Sequence, residues 1–533
     1  MFAKEQGHNL LLVIFLSFFI YIILINAWVS DDAYITFRVL DNFVNGYGLR
    51  WNITERVQAF TNPLWLFIHV PFYFITHDIY FTTIFISLFF STAAFIIAVK
   101  TFNGSTGFTF AFLLIPLILS RSFTEYATSG LENPLTFFFL ALFCYVVVKQ
   151  ELFSSFFGLF CLALIAGLSA FNRLDTILFY FPVLVFLIFR NLSVRTLLAT
   201  CMGFFPLLLW LLFSLFYYGF LFPNTAYAKL STGIETRVYL QQGMIYAIDL
   251  VKHDPISAVV IIIASILIIY FLYQLVVYGH RLFSNRDILF LLLGIGVLLY
   301  NLYVIKVGGD FMSGRFWSAP FFLCVLLLNW FLQPYDKPLA WFLYPIGFGL
   351  ICLFTVIFPK VETNDAIYPS GIADERGWYL KETGLLNYTR SNNPSTHSFS
   401  FNGSALKKMA ETSDEPIVEV RRTIGMVGFY ASSGVVIIDP LALSDPLLSR
   451  LPVAAAHGWR IGHFERHIPT GYLDAHKTDS LENMPPNLAQ YYQPLRYIIS
   501  GSLFDWERIK TIFLFNRGDY DHYLKSYLES SKI

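Results

Sequence analysis

Eleven long apolar segments fill most of the first 360 residues, and they restrict the possible folds more than any other feature of the chain. A helix needs roughly 17–25 mostly apolar residues to cross a bilayer. By that criterion the spans are residues 9–29, 79–99, 106–120, 133–148, 153–170, 176–190, 196–218, 256–278, 288–305, 316–333 and 338–358. Only 14% of the residues are charged, whereas soluble domains are about one quarter charged. We therefore predict an α-helical polytopic membrane protein with about eleven transmembrane helices. Residues 62–76 contain two prolines and predict a re-entrant or interfacial helix instead.

The acidic residues are distributed asymmetrically with respect to these spans. With Lys4 assigned to the cytoplasmic side, the inner turns carry the basic residues that the positive-inside rule expects. Twelve of the sixteen acidic residues before residue 360 then face outward. Acidic residues orient membrane proteins only weakly, so this asymmetry indicates chemistry on the outer face of the bilayer.

The outer-face loop 30–62 follows the first span and carries the strongest functional signal. Asp31 and Asp32 stand at the exit of that span, where a carboxylate is costly and a functional role is the default interpretation. The alternative is that the two aspartates only end the helix among the headgroups. Apolar residues then recur near helical spacing, which predicts an amphipathic helix lying in the interface, ended by Gly46 and Gly48.

From residue 360 the chain becomes polar, and no segment there is apolar and long enough to span. We predict a membrane domain at 1–359 and a soluble α/β domain at 360–533, about 170 residues and large enough for its own core. Residues 427–439 contain a strand-like run after a glycine-rich turn. Residues 422–431 and 496–504 are the candidate partner strands. Because the last span exits outward, this domain shares the acidic side.

The outward segments combine carboxylates with cations. A carboxylate pair can act as a general base toward a hydroxyl that is held near it, and basic side chains can hold a lipid-linked phosphate. The candidate cations are Arg38, Arg56, Arg173, Lys229, Lys306 and Arg315. The net charge of the chain is zero, so nothing indicates a nucleic-acid partner.

Several of these candidates also have a purely structural interpretation. Arg173 and Asp175 in the sequence NRLD can simply pair with each other at a helix end. Lys306 and Arg315 can extend toward lipid headgroups. Glu132 can be an ordinary acid at the end of a helix.

Two further segments contain candidate residues. Gly308 and Gly309 permit positive φ, so a tight turn there can expose Asp310 to a ligand. Residues 457–467 hold three histidines and two arginines, among them His463. Their spacing argues against a metal site, and we predict a basic surface that faces an acceptor or lipid headgroups.

Seven motifs occur in a fixed order along the chain: DDAYITFR, NFVNGYGLRWN, ERVQAFTNPLW, TSGLENPL, NRLD, PNTAYAK and GGDFMSGRF. In this order they resemble the polytopic GT-C glycosyltransferases, and among these the terminal β-(1→2) arabinofuranosyltransferase family of mycobacteria and its relatives in other bacteria. The later runs GFYASSGVVIIDPLALSD and RIGHFERHIP are similar to the soluble domain of that family.

The resemblance implies a GT-C fold and a polyprenyl-phosphate sugar as donor. It also implies a cell-envelope glycan or glycolipid acceptor on the outer face of the bacterial cytoplasmic membrane. Catalysis is assigned to Asp31, with Asp32 as neighbour or alternative. The family has a Gly-Glu-Arg-Val-Glu-like run where this chain has TERVQ at 54–58, and the missing second acid weakens a catalytic role there.

These observations predict a multi-pass, polyprenyl-phosphate-dependent glycosyltransferase in contact with membrane lipids. Asp31 or Asp32 accepts the proton of the acceptor hydroxyl. The predicted phosphate ligands are Arg38, Arg173, Lys229, Lys306 and Arg315, and the predicted substrate contacts are Glu132, Asp175, Asn224, Asp310 and His463. The alternatives are a lipid or sugar transporter and a non-catalytic envelope assembly protein. The sequence names no cofactor and leaves open a divalent metal, the sugar, the acceptor and the stereochemical outcome.

Overall fold

The computed structural model describes residues 2–102, 107–149, 155–230, 232–279, 283–332, 367–388, 396–454 and 459–531. The chain forms two compact units, each assembled from segments that are distant in sequence. The first unit comprises residues 1–29, 80–206 and 236–387, and the second comprises residues 30–79, 207–235 and 388–533.

The described residues are mostly helical. Up to residue 332 the helices are α1 Phe2–Ile25, α2 Asp31–Val44, α3 Pro63–Thr76, α4 Ile79–Thr101, α5 Gly107–Leu119, α6 Arg121–Tyr126, α7 Asn133–Val148, α8 Phe156–Asn172, α9 Ile177–Arg190, α10 Val194–Tyr218, α11 Asn224–Leu230, α12 Thr236–His253, α13 Pro255–Tyr278, α14 Asn285–Lys306 and α15 Ser318–Leu332. From residue 367 the elements are α16 Glu375–Thr383, α17 Ser398–Thr412, β1 Ile417–Val420, α18 Met426–Ala431, β2 Val435–Ile438, α19 Tyr472–Thr478, α20 Pro486–Ser500, α21 Trp506–Arg517 and α22 Asp521–Ser531.

In the part of the chain that the structure describes, five helices are long and apolar enough to cross a membrane. They are Ile79–Thr101, Val194–Tyr218, Pro255–Tyr278, Asn285–Lys306 and Arg315–Leu332, and shorter apolar helices lie at Leu12–Ile25, Pro63–Thr76, Asn133–Val148 and Phe156–Asn172. The protein is therefore a helical, polytopic membrane protein. Helices occupy the first ten predicted segments, but the predicted number of spans stays a prediction. The eleventh segment, 338–358, lies outside the described residues.

The first unit is a bundle of apolar helices in which α14 packs against α9, α12, α13 and α15. Gly296 allows the close approach of α14 to α9, because a Cβ there would collide with the backbone carbonyl of Phe179. One turn further along, Tyr300 stacks on the ring of Phe179 with a centroid distance of 4.3 Å. These contacts fix the C-terminal half of α14 and so position the polar loop 307–315 that follows it.

The second unit contains a small parallel sheet. Strand β1 pairs with β2 in register from Ile417 opposite Val435 to Val420 opposite Ile438. The predicted strand is confirmed at β2, but the predicted partners at 422–431 and 496–504 are wrong, because the chain forms α18 and the end of α20 there. In α20 the buried residues recur at helical spacing, so amphipathic packing outweighs the β-branched composition of its last turn.

Helix α2 confirms the helix that the sequence predicts after Asp31. The Ser30 side chain caps its N-terminus by accepting from the Ala33 N–H, and Gly46 and Gly48 follow its end with φ of +85° and +84°. Ten of its fourteen residues are buried, and α2 packs against α3 and α18. Helix α2 therefore belongs to the core of the second unit, and its predicted place in the membrane interface stays a prediction.

The predicted boundary between 1–359 and 360–533 falls outside the described residues and stays a prediction. The described residues from 388 onward belong to the same compact unit as residues 30–79 and 207–235. The loop that holds the acidic pair thus folds together with the C-terminal part of the chain.

Candidate functional site

Asp31 opens α2 and lies against the start of α18. Its Oδ1 accepts a hydrogen bond of 2.7 Å from the peptide N–H of Met426. Only glycine fits at position 425, because a Cβ there would collide with the carbonyl oxygen of Asp31. Asp31 is 8% exposed, and Asp32 is half-buried.

Burial raises the pKa of the Asp31 carboxyl to about 7. The hydrogen bond from Met426 lowers this pKa, and the neighbouring charge of Asp32 raises it again. A carboxyl with a pKa close to neutral can both take up and release a proton under physiological conditions. This is the property that a general base requires.

Arg38 follows two turns later on α2 and is almost fully buried. Its guanidinium donates to the carbonyl oxygens of Trp51 (2.8 Å), Gly428 (2.6 Å) and Val435 (2.7 Å). It also lies over the Trp51 ring, 4.3 Å from the centroid, and burial lowers its pKa to about 9. A phosphate would have to displace these carbonyls, so the surroundings of Arg38 disfavour phosphate binding.

The second unit contains three buried acids that were not predicted from the sequence to be functional: Glu55, Asp439 and Asp445. Burial, reinforced by the charge of Asp445, raises the pKa of Glu55 to about 8. Burial also raises the pKa of Asp445 to about 7, although the Leu448 peptide and the Tyr472 hydroxyl donate to it. The Asp439 carboxylate accepts hydrogen bonds from the N–H groups of Leu441 and Leu443, in the turn that follows β2. Asp439 and Asp445 organise the chain after β2, whereas Glu55 accepts a hydrogen bond from the Asn52 amide.

The remaining second-unit candidates have different surroundings. The Asn224 amide donates to the carbonyls of Ala442, Leu443 and Asp445 and accepts from Ser449, so it holds the turn 442–449 in place. Lys229 is exposed near the end of α11. His463 is half-buried and forms an isolated antiparallel β-bridge with Arg460.

In the first unit, five predicted site residues come together in one ionic network. Glu132 Oε1 lies 2.8 Å from Arg173 Nη1 and 3.4 Å from Arg315 Nη2. Arg173 Nε lies 2.8 Å from Asp175, and Arg315 Nη1 lies 3.4 Å from Asp310. The network joins the start of α7, the end of α8 and the loop after α14. The predicted pairing of Arg173 with Asp175 is confirmed, and it is one part of a larger cluster.

Arg173 and Arg315 differ in the lengths of their contacts with carboxylates. Arg173 makes two short contacts with carboxylates, and its guanidinium lies 4.4 Å from the centroid of the Phe316 ring. The contacts of Arg315 with Glu132 and Asp310 are each 3.4 Å long, at the outer limit of hydrogen-bond geometry. Arg315 can therefore exchange its partners at a lower cost than Arg173.

The charge of Glu132 is stabilised despite its burial. Burial alone would raise the pKa of this carboxyl, but Arg315 and Arg173 together lower it to about 2. Glu132 also precedes the first residue of α7, where a negative charge interacts favourably with the helix dipole. The carboxylate remains ionised and keeps both guanidinium groups at one place.

The glycine turn before Asp310 differs in part from the prediction. Gly308 and Gly309 have φ of +85° and +75°, as a tight turn requires. Asp310 is only 3% exposed, however, and its Oδ1 accepts from the Phe311 N–H. The turn therefore directs Asp310 into the network with Arg315 instead of presenting it to the outside. Lys306, at the end of α14, is exposed.

The first unit contains a second polar cluster that was not predicted from the sequence. Arg121 lies 2.8 Å from Glu125 and 2.7 Å from Asp374, while Asp249 accepts a 2.6 Å hydrogen bond from Ser313. Ser313 and Arg315 belong to the same loop, so this loop contacts both clusters. The sequence signal was the outward placement of Glu125 and Asp249, but nothing in the sequence connects either acid to Asp374.

No group of three or more histidine, cysteine, aspartate or glutamate side chains within the described ranges could hold a metal ion. The structure thus brings together Glu132, Arg173, Asp175, Asp310 and Arg315 in the first unit. Asp31, Asp32, Arg38, Asn224, Lys229 and His463 belong to the second unit.

Comparison with known proteins gives one informative similarity. No protein-family model and no solved structure matches the chain. The terminal β-(1→2)-arabinofuranosyltransferase of Mycobacterium tuberculosis is 26% identical over 515 residues, covering 82% of this chain and 79% of the relative. The similarity extends over most of both proteins. This chain is therefore a distant relative of the mycobacterial terminal β-(1→2)-arabinofuranosyltransferase.

Proposed function

We propose that this membrane protein is a glycosyltransferase that uses a polyprenyl-phosphate sugar as donor and a cell-envelope glycan or glycolipid as acceptor. The similarity over most of the chain to an arabinofuranosyltransferase is the observation on which the proposal rests. The apolar helices and the clustered arginines and carboxylates support it. We place the reaction on the outer face of the bacterial cytoplasmic membrane, with the C-terminal part outside the cytoplasm.

The donor phosphate is assigned to Arg173 and Arg315. Arginine binds phosphate oxygens in a bidentate geometry, and the two guanidinium groups already share the carboxylate of Glu132. The cluster contains two cations and three carboxylates. A phosphate can therefore bind an arginine only by replacing one of the carboxylates that now contact it. The long contact between Arg315 and Asp310 is the one that a phosphate can replace at least cost. Lys306 and Lys229 are further cations proposed to face the donor.

The acceptor is assigned to the acidic pair at the start of α2. Asp31 takes the proton of the acceptor hydroxyl, and the hydroxyl oxygen forms a bond to the anomeric carbon of the sugar. The bond from that carbon to the phosphate oxygen breaks, and polyprenyl phosphate leaves with the electron pair. The pKa of Asp31, raised to about 7, suits this role because a base works best near the operating pH. Asp32 remains the alternative base.

The test is transfer by the purified full-length protein in lipid nanodiscs. The protein is given a polyprenyl-phosphoryl arabinofuranose, with other pentose and hexose donors in parallel, and short oligosaccharide acceptors. The proposal expects a glycosylated product and release of polyprenyl phosphate. If no donor yields product while the same protein in vesicles moves a lipid-linked sugar across the bilayer, the transporter alternative holds instead.

A further inference from the structure

The second unit exposes three aromatic side chains within ten residues at the start of α21. Phe504 is 85% exposed, Trp506 is 71% exposed and Phe513 is 64% exposed. Large aromatic side chains bury about 150–250 Å² each when they find a partner surface. Their concentration in one short stretch indicates a contact surface.

The two aromatic residues of α21 lie on one face of the helix, together with two basic residues. Trp506, Lys510, Phe513 and Arg517 follow each other at intervals of four, three and four residues, so they lie along one side of the helix. Lys510 and Arg517 are exposed and pair with Glu507 and Asp519, respectively. On the opposite side, Arg508, Ile512 and Phe515 are buried. The helix thus has an inner face in the protein core and an outer face of alternating aromatic and cationic side chains.

The same helix is fixed to the end of α10. The guanidinium of Arg508 donates to the carbonyl oxygens of Phe216 and Tyr217, each at a distance of 2.9 Å. These two carbonyls are among the last of α10. Asn516 donates to the carbonyl of Gly219 at 2.8 Å. The ring of Phe504 lies 5.6 Å from the ring of Phe216, centroid to centroid.

Helix α10 is one of the helices that can cross a membrane. In its last turns Leu208, Leu209 and Leu212 expose 47%, 49% and 63% of their surfaces. An exposed leucine surface on such a helix faces lipid. Because Phe504 packs against Phe216, the aromatic stretch begins where this lipid-facing helix ends.

We propose that Phe504, Trp506 and Phe513 insert into the lipid–water boundary of the bilayer that α10 crosses. Aromatic side chains are enriched at this depth of membrane proteins. Lys510 and Arg517 can bring their charged ends to the lipid phosphates while their aliphatic parts stay near the apolar layer. Continuity with α10 selects a phospholipid surface over a protein partner. The aromatic face holds the C-terminal part of the chain against the membrane, whatever reaction the protein performs.

The experiment is photo-crosslinking of the full-length protein in nanodiscs that contain a radiolabelled phospholipid. The photoreactive amino acid p-benzoylphenylalanine replaces Phe504 or Phe513, which keeps an aromatic ring at an exposed position. The matched control places it at Phe401, which is 57% exposed on α17 of the same unit. The proposal expects phospholipid adducts at 504 and 513 in several-fold higher yield than at 401.

Equal yields at all three positions, or no adduct at 504 and 513, would overturn the proposal. Adducts to another protein when the same variants are illuminated in native membranes would also overturn it in favour of a protein partner. Unchanged thermal unfolding of each variant establishes that the fold is intact. The readout requires no enzymatic activity, so it stands or falls separately from the proposed reaction.

Discussion

Arg173 Nη1 lies 2.8 Å from Glu132 Oε1, and this ion pair joins the end of α8 to the start of α7. The two residues are 41 positions apart in sequence. The third member, Arg315, is a further 142 positions along the chain (315 − 173). One buried carboxylate at the start of α7 therefore links the end of α8 and the loop after α14.

Removal of the Glu132 carboxylate should destabilise the protein. Glu132→Ala removes the carboxylate that two buried guanidinium groups share, while each keeps one other carboxylate, so the lost charge-assisted contacts should cost about 1.5–3 kcal/mol. Thermal unfolding in nanodiscs, followed by tryptophan fluorescence, measures the effect. Glu529→Ala, at an exposed position of α22, is the control. Equal melting temperatures for the two variants would contradict the structural role given to Glu132.

The two arginines should respond differently to replacement by lysine. Arg315→Lys removes contacts of 3.4 Å and should change stability little, whereas Arg173→Lys removes two contacts of 2.8 Å and should lower the melting temperature. If Arg315 binds the donor phosphate, Arg315→Lys should lower kcat/KM for the lipid-linked donor about 10–100-fold, the value of one charge-assisted hydrogen bond. An Arg315→Lys variant with wild-type kcat/KM would exclude Arg315 from the donor site.

Gly425 should be irreplaceable for steric reasons. A Cβ at this position would collide with the carbonyl oxygen of Asp31, so Gly425→Ala should shift α18 away from α2 and lower the melting temperature. Gly434→Ala, in the same unit, is the matched control. Its Cβ would meet only the Cβ of Ala410 at 3.4 Å, an ordinary contact distance. The interpretation fails if both alanine variants unfold at the wild-type temperature.

The raised pKa of Asp31 should make its contribution to stability depend on pH. Because the folded pKa of about 7 is above the ordinary 3.8, the folded state holds a proton that the unfolded state releases. Stability therefore falls as the pH rises from about 4 to about 7 and is constant above that. Asp31→Asn removes this dependence and keeps an oxygen for the Met426 N–H. The variant should gain about 3 kcal/mol relative to wild type between pH 5 and pH 8, and chemical unfolding at both pH values measures the difference.

A constant difference between the two proteins at both pH values would show that Asp31 is ionised throughout. Glu55 and Asp445, whose pKa values are also raised, are present in both proteins. Their contributions cancel in the comparison.

The sequence predicted local structure well where one segment decides it. The spacing of apolar residues after Asp31 predicted α2, and the two glycines predicted its end. Apolar composition alone located the long helices. The predicted strand at 496–504 was wrong because its residue composition favours a strand, whereas the buried residues of α20 recur at helical spacing.

The sequence also named the members of the ionic network without predicting their arrangement. Outward placement selected Glu132, Arg173, Asp175, Asp310 and Arg315, but only the pairs Arg173–Asp175 and Asp310–Arg315 are near each other in sequence. Pairing across such distances depends on how α7, α8 and α14 pack. The second cluster was missed for the same reason, since Arg121 and Asp374 are 253 positions apart. Burial of Arg38 and Asn224 against backbone carbonyls likewise follows from the tertiary fold and has no local sequence signal.

The central claim is that a carboxylate at the start of α2 acts as the base for sugar transfer. The most direct measurement is the rate of sugar transfer from a polyprenyl-phosphoryl donor by Asp31→Asn, Asp32→Asn and the control Asp41→Asn, which lies on the same helix. Loss of a general base lowers a rate about 10²–10⁴-fold. The account predicts such a loss for Asp31→Asn, or for Asp32→Asn if that residue is the base, with normal folding and a near-wild-type rate for Asp41→Asn. Full activity in both Asp31→Asn and Asp32→Asn would contradict it.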